Sequence, residues 1–173
     1  MSIEALTAWV LSLLVYAAPP DRYASQRTYP EATETAQERL SRYRDIAADV
    51  AAVASSEAKP RREAALLIAV AVFESGLARD VDLGPCSPAR IRAGGCDRGR
   101  SASLWQLRGY HPATRREAAA TALRLIHRSL NACRALPELE RLAAYATGRC
   151  DSATGQRLSR ERLALALRLE ARH

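Results

Sequence analysis

The sequence predicts a mainly α fold in a single domain, with a long loop or short β-hairpin near its middle. Three observations carry this. A chain of 173 residues suffices for one compact core and is short for two. Nearly half of the residues (48%) are apolar but only 5% are aromatic, and Ala, Leu and Arg dominate while β-branched residues are sparse, which favours helices over strands. Apolar residues recur at spacings of three and four in several stretches, whereas Leu77 to Gly109 has no such period.

The first stretch is the apolar run Leu6 to Ala18, which has the look of a signal-peptide core. Glu4 and the lack of a basic residue ahead of it argue against that reading. Ile3, Leu6, Val10, Leu13 and Leu14 lie at helical spacing, so a helix packed on the domain is preferred, and the run is too short to span a bilayer. Pro19 and Pro20 stop the pattern, and Asp21 to Pro30 reads as an irregular connection. A second helix is expected from Glu31 to about Ser55, with Thr33 or Thr35 near its start. Leu40, Tyr43, Ile46, Ala47, Val50 and Val53 form its inner stripe, and Glu38, Arg39, Arg42 and Asp45 its water-facing side.

Pro60 opens a third helix at a position where the missing N–H does no harm, and the helix runs to Ser75. Every residue from Ala64 to Phe73 is apolar, so this helix should be buried on nearly all sides. Glu74 interrupts the run at its end, and Gly76 supplies the stop. The segment Leu77 to Gly109 is rich in Gly, Pro, Asp, Ser and Arg, and a loop of that length is more often functional than decorative. Further helices are expected at Thr114 to Asn131, with Ala118, Ala122, Leu125 and Ile126 inward, at Pro137 to Tyr145, and at Ser159 to Arg172, with Leu163, Ala166 and Leu167 on one face.

The net charge is +7, and Lys59 is the only lysine. A basic surface attracts polyanions without choosing among nucleic acid, lipid and wall polymer. The arginines argue against nucleic acid, because Arg27, Arg61, Arg62, Arg90, Arg98, Arg115, Arg124, Arg134 and Arg168 are scattered rather than gathered on one recognition helix. There is no HExxH, P-loop, GxSxG or dinucleotide glycine motif. The four cysteines form no CxxC, and His111, His127 and His173 do not complete a zinc pattern, so neither a metal nor a cofactor is expected. Two disulfides are preferred to four reduced thiols. Of the three connectivities, Cys86 with Cys96 and Cys133 with Cys150 closes the shortest loops, and such bridges imply an oxidising compartment.

A glutamate directly after ten apolar residues loses water, and both dehydration and the negative end of the helix dipole favour its neutral form. A carboxyl kept protonated near neutral pH can protonate a glycosidic oxygen. The segment Phe73-Glu74-Ser75-Gly76 resembles the catalytic helix end of the lysozyme-like lytic transglycosylases. Gly99-Arg100-Ser101-Ala102-Ser103-Leu104-Trp105-Gln106-Leu107 is similar to that family's second motif, a Ser/Gly-rich stretch ending in an apolar residue and Gln. Ala144-Tyr145-Ala146-Thr147-Gly148 echoes its third, Ala-Tyr-Asn-Ala-Gly, and order and spacing agree across roughly residues 60 to 150.

The resemblance implies a lysozyme-like helical domain that cleaves the β-1,4 bonds between N-acetylmuramic acid and N-acetylglucosamine in peptidoglycan, with Glu74 as acid/base. Ser75 would support the helix end, and Ser103, Trp105, Gln106 and Tyr145 would belong to the sugar groove. Departures are Ala146 in place of the usual Asn, and Ser103 and Trp105 where Gly and Met are common. Trp105 either packs inward or stacks on a sugar face. Asp80, Asp82 and Asp97 are candidates for the second carboxylate that lysozyme-type hydrolysis needs, and Asp80 and Asp82 read more readily as loop braces. In the family, absence of a second acid goes with attack by the sugar's own C6 hydroxyl and a 1,6-anhydro product, the preferred outcome here. The implied setting is periplasmic or extracellular, cell-wall or phage-virion associated, and the chain is expected to act as a monomer.

Overall fold

The computed structural model describes residues 1–23 and 33–172; most of the expected connection from Asp21 to Pro30, and the expected start of the second helix at Glu31, lie outside the described residues. Helix α1 spans Ile3–Ala17, capped by the Ser2 hydroxyl, and buries Leu6, Trp9, Val10, Leu13 and Leu14. Pro20–Tyr23 forms one helical turn, α2, where an irregular connection was expected; Pro in the first turn forfeits no helix hydrogen bond. Helix α3, Ala36–Ala54, begins at Thr35. There the Thr35 side chain accepts from the Glu38 N–H while the Glu38 carboxylate accepts from the Thr35 N–H, a reciprocal cap. Its face of Tyr43, Ile46, Ala47, Val50, Ala51 and Ala54 packs on α1.

The expected water-facing side of α3 needs correction. Arg39 is fully buried and donates to Glu34 at 2.8 Å, and Arg42 donates to Glu34, to the Leu77 carbonyl and to Asp82. An arginine enters a core when carboxylates meet it there. Glu34 and Asp82 do so from outside the helix, beyond the reach of a helical-face pattern.

Helix α4, Pro60–Ser75, has the expected bounds: Pro60 stands in the first turn and Gly76 ends it at φ 56°. Ala64 to Ala71 are all buried against neighbours on every side, chiefly α9 and α1. Burying Leu66, Leu67, Ile68 and Val70 is worth roughly 1.5–3 kcal/mol each. The segment after it holds a short 3-10 turn at Arg79–Val81, helix α5 at Pro88–Arg92, and a tight turn α6 at Gly95–Gly99. In α6, Cys96, Asp97 and Arg98 have φ values of 54°, 50° and 56°, so the turn is left-handed. The expected hairpin follows: β1 (Ser101–Ala102) pairs antiparallel with β2 (Leu107–Arg108).

Helix α7, Arg115–Ala132, is capped by Thr114 and buries Ala118, Ala122 and Ile126 as expected, while Leu125 is only partly covered. The expected helix at Pro137 to Tyr145 divides into a 3-10 turn, Glu138–Glu140, and α8, Ala143–Thr147. Helix α9 spans Ala153–Glu170, six residues earlier than expected, because Ser152 caps it and Gly155 approaches α8 closely: a Cβ there would stand 2.8 Å from the Ala143 carbonyl oxygen. Leu165 and Leu169 join Leu163 and Ala166 inside, while Leu167 is half exposed. Disulfides join Cys86 to Cys96 and Cys133 to Cys150. The chain is thus a mainly α domain around one core, and among the described residues no helix is long and apolar enough to cross a membrane.

Candidate functional site

An open cleft of about 880 Å³ runs along one side of the molecule, at the upper end of the range for ligand sites. Glu74 at the tip of α4, Gln106 in the hairpin loop and Tyr145 of α8 all line it. Around them stand Asp97 of the left-handed turn, Ser101 and Arg108 of the hairpin, Arg128 and Ser129 of α7, and Ala146 to Gly148 at the end of α8.

The Glu74 side chain is about one-fifth exposed and lies against a buried arginine, Arg162 of α9, whose Nη2 donates to Oε1 at 2.5 Å. Burial pushes the Glu74 carboxyl up; the charge and hydrogen bond of Arg162 pull it down without cancelling the rise, so the group stays above the usual carboxylate range. Tyr145 is also raised, first by burial and then by the negative charge of Glu74, with Arg162 opposing. Its hydroxyl donates to the Trp105 carbonyl at 3.0 Å, and its N–H donates to Ser129 Oγ, so α8 is tied to both the hairpin loop and α7.

Gln106 sits at φ 49°, and its side-chain amide donates to the Ser103 carbonyl at 2.9 Å, which turns the residue towards the cleft. Of the other residues expected in the sugar groove from that motif, Trp105 and Ser103 do not reach the cleft. Trp105 is 1% exposed and its indole N–H donates to the Leu67 carbonyl of α4 at 2.9 Å, so neither ring face is open to a ligand. Ser103 is equally buried, and its hydroxyl accepts from the Trp105 N–H. Ser75 donates to the Ala71 carbonyl and accepts from the Leu77 N–H, a brace for the helix end beside Glu74 rather than a cleft wall.

The three candidate second carboxylates separate cleanly. Asp80 accepts two hydrogen bonds from Arg90, at 2.6 and 2.8 Å, and one from Ser87. Asp82 accepts two from Arg115, at 2.8 and 2.9 Å, while Arg115 also reaches Asp49. Both pin the start of the long segment to the scaffold, and neither lines the cleft. Asp97 does line it, but its carboxylate is engaged by Arg100 at 2.8 Å and Arg108 at 3.0 Å. Arg128 reaches the cleft with no ion-pair partner among the described residues.

Arg162 was missed in the sequence because it lies outside all three motifs, on a helix that otherwise reads as amphipathic. Among the described residues no group of three His, Cys, Asp or Glu side chains could hold a metal. Comparison with family models, curated proteins and solved structures finds no match, so the site is read from its own geometry.

Proposed function

We propose that this chain is a peptidoglycan lytic transglycosylase that cleaves the β-1,4 bond between N-acetylmuramic acid and N-acetylglucosamine, with Glu74 as acid and then base. The observation that carries the reading is a dehydrated carboxyl, raised above its ordinary range, at the tip of a buried helix and in one cleft with Gln106 and Tyr145. Protonated Glu74 gives its proton to the glycosidic oxygen as the C1–O bond breaks. The resulting carboxylate then takes the proton of the muramyl C6 hydroxyl as that oxygen attacks C1, leaving a 1,6-anhydro end and restoring the acid. The Gln106 amide nitrogen is held by the Ser103 carbonyl and Cys86 Sγ, and its amide oxygen can accept from sugar hydroxyl or N-acetyl N–H groups. Arg128, which has no ion-pair partner among the described residues, suits a strand that carries carboxylates.

The engagement of Asp97 by two arginines favours intramolecular attack over water activation. Its position in the same cleft supports a second reading, a muramidase in which Asp97 is the second acid. The two disulfides suit work in an oxidising space such as the periplasm or the cell exterior.

Mass spectrometry of muropeptides released from purified cell walls tests both readings. Anhydro ends are the expected product, reducing ends identify the hydrolase, and no release from a folded protein overturns the enzymatic proposal. Glu74→Gln removes the transferable proton at nearly constant volume and should lower the rate by about 10²–10⁴-fold.

A further inference from the structure

Asp82 with Arg115, and Asp80 with Arg90, each place two guanidinium N–H groups on the two oxygens of one carboxylate. This geometry holds a fold together. The pair beneath the cleft differs. Arg162 makes one contact, from Nη2 to Oε1 of Glu74, and Oε2 has no protein partner among the described residues. Arg162 Nε and Nη1 are buried without a hydrogen-bond acceptor among the described residues. A buried donor without an acceptor is destabilising, so the arrangement is a poor way to stabilise a helix. It does keep one edge of a guanidinium against one oxygen of the cleft carboxyl.

We propose that Arg162 is the positioning residue of Glu74: it pins one carboxyl oxygen from the protein side, leaves the other to the cleft, and stabilises the charge Glu74 acquires on releasing its proton. The catalytic meaning of this rests on the function proposed above; the control of the carboxyl does not. The groups facing Glu74 are few. Arg162 comes from α9 and Tyr145 from α8, and the cleft's other charged or titratable groups are Asp97, Tyr110, Arg108 and Arg128. Of these, Arg162 is the one whose charge and hydrogen bond act on the Glu74 carboxyl. Phe73 covers the guanidinium from one side, 5.9 Å from the ring centre, and the charge is shut in with its partner.

The pair also balances two demands. Burial alone would raise the Glu74 carboxyl further and make it a more reluctant donor. Arg162 stabilises the carboxylate formed as the glycosidic bond breaks, while burial keeps a neutral fraction available to start the cycle.

The test is a ¹³C NMR titration of glutamate-labelled protein, with the Glu74 carboxyl signal assigned by its loss in Glu74→Gln. In Arg162→Met the Glu74 midpoint should move up by about one to three units, the usual effect of an opposite charge at this range. Arg162→Gln reads the same quantity should the methionine variant not fold, and Arg162→Lys, which keeps the charge, should restore most of the shift. An unmoved midpoint in a folded neutral variant overturns the inference. On cell-wall substrate the alkaline limb of kcat/KM should move with the midpoint, and kcat should fall at least about tenfold. If the wild type cleaves but the limb stays put, the inference is overturned. If the midpoint moves and the wild type cleaves nothing, the positioning role stands and the proposed function falls.

Discussion

Removing the Cys133–Cys150 bridge by the double substitution Cys133→Ser and Cys150→Ser should cost stability that can be sized from the fold. The bridge joins the cap of α7 to the residue three beyond the end of α8, across a sequence separation of 17. For a closed loop of that length the chain-entropy relation gives about 3 kcal/mol at 25 °C. In a domain of this size each kcal/mol lowers Tm by about 2–4 °C, so the variant should melt about 6–12 °C below the wild type. Differential scanning calorimetry at neutral pH, on protein whose bridge state is verified by alkylation and intact mass, measures the shift. The loss should exceed that of the Cys86→Ser, Cys96→Ser variant, because the second loop is shorter, with a separation of 10. A Tm within about 2 °C of the wild type would refute the reasoning, since it would mean that the unfolded chain gains almost nothing from the missing link.

Three further outcomes follow from particular contacts. Asp82→Asn leaves Arg115, and in part Arg42, buried without their anion, and should cost about 3–5 kcal/mol in urea unfolding; a loss below 1 kcal/mol would show that the network relaxes freely. Trp105→Phe removes the donor to the Leu67 carbonyl and should cost about 1–3 kcal/mol while leaving sugar binding by NMR unchanged; a selective loss of binding would contradict the buried placement. Burial pushes Asp80 up, but the hydrogen bonds and charge of Arg90, with Ser87, outweigh it and set the folded value below the ordinary 3.8. A carboxyl so lowered contributes stability above its unfolded value and loses it as pH falls through the folded one. The wild type should therefore weaken steeply below about pH 4, and Asp80→Asn should flatten that slope in acid titrations followed by circular dichroism.

Much of the fold could be read locally, because the decisive signals are local. The apolar run Ala64 to Phe73, Pro60, Gly76 and the capping threonines Thr35 and Thr114 each act within one or two helical turns. The bounds of α4 and the position of Glu74 at its tip follow from those residues. The buried arginines could not be read so. Arg39, Arg115 and Arg162 look like solvent-facing charges in any helical pattern, and their carboxylates arrive from other elements: Glu34, Asp82 and Asp49, and Glu74. The early start of α9 was also hidden, because Gly155 sits inside it for a non-local reason: the contact of α8 with α9 requires the absence of a side chain there. Trp105 could not be resolved from sequence, because an indole suits a core and a sugar platform equally; the Leu67 carbonyl decides it. Among the carboxylates, sequence distance from Glu74 misleads, since the nearer Asp80 and Asp82 are pinned elsewhere while the remoter Asp97 lines the cleft.

The long segment is tied down along most of its course. Asp80 is held by Arg90 and Ser87, Asp82 by Arg115, Pro85 bridges to Ala102, and Cys86 is joined to Cys96. Arg92 to Gly94 are exposed, and nothing stands within 4 Å of where a Cβ at Gly94 would lie. Extra residues spliced in at that corner would therefore hang over solvent while every tie on either side kept its partner, so the molecule can gain length there without rebuilding the scaffold beneath.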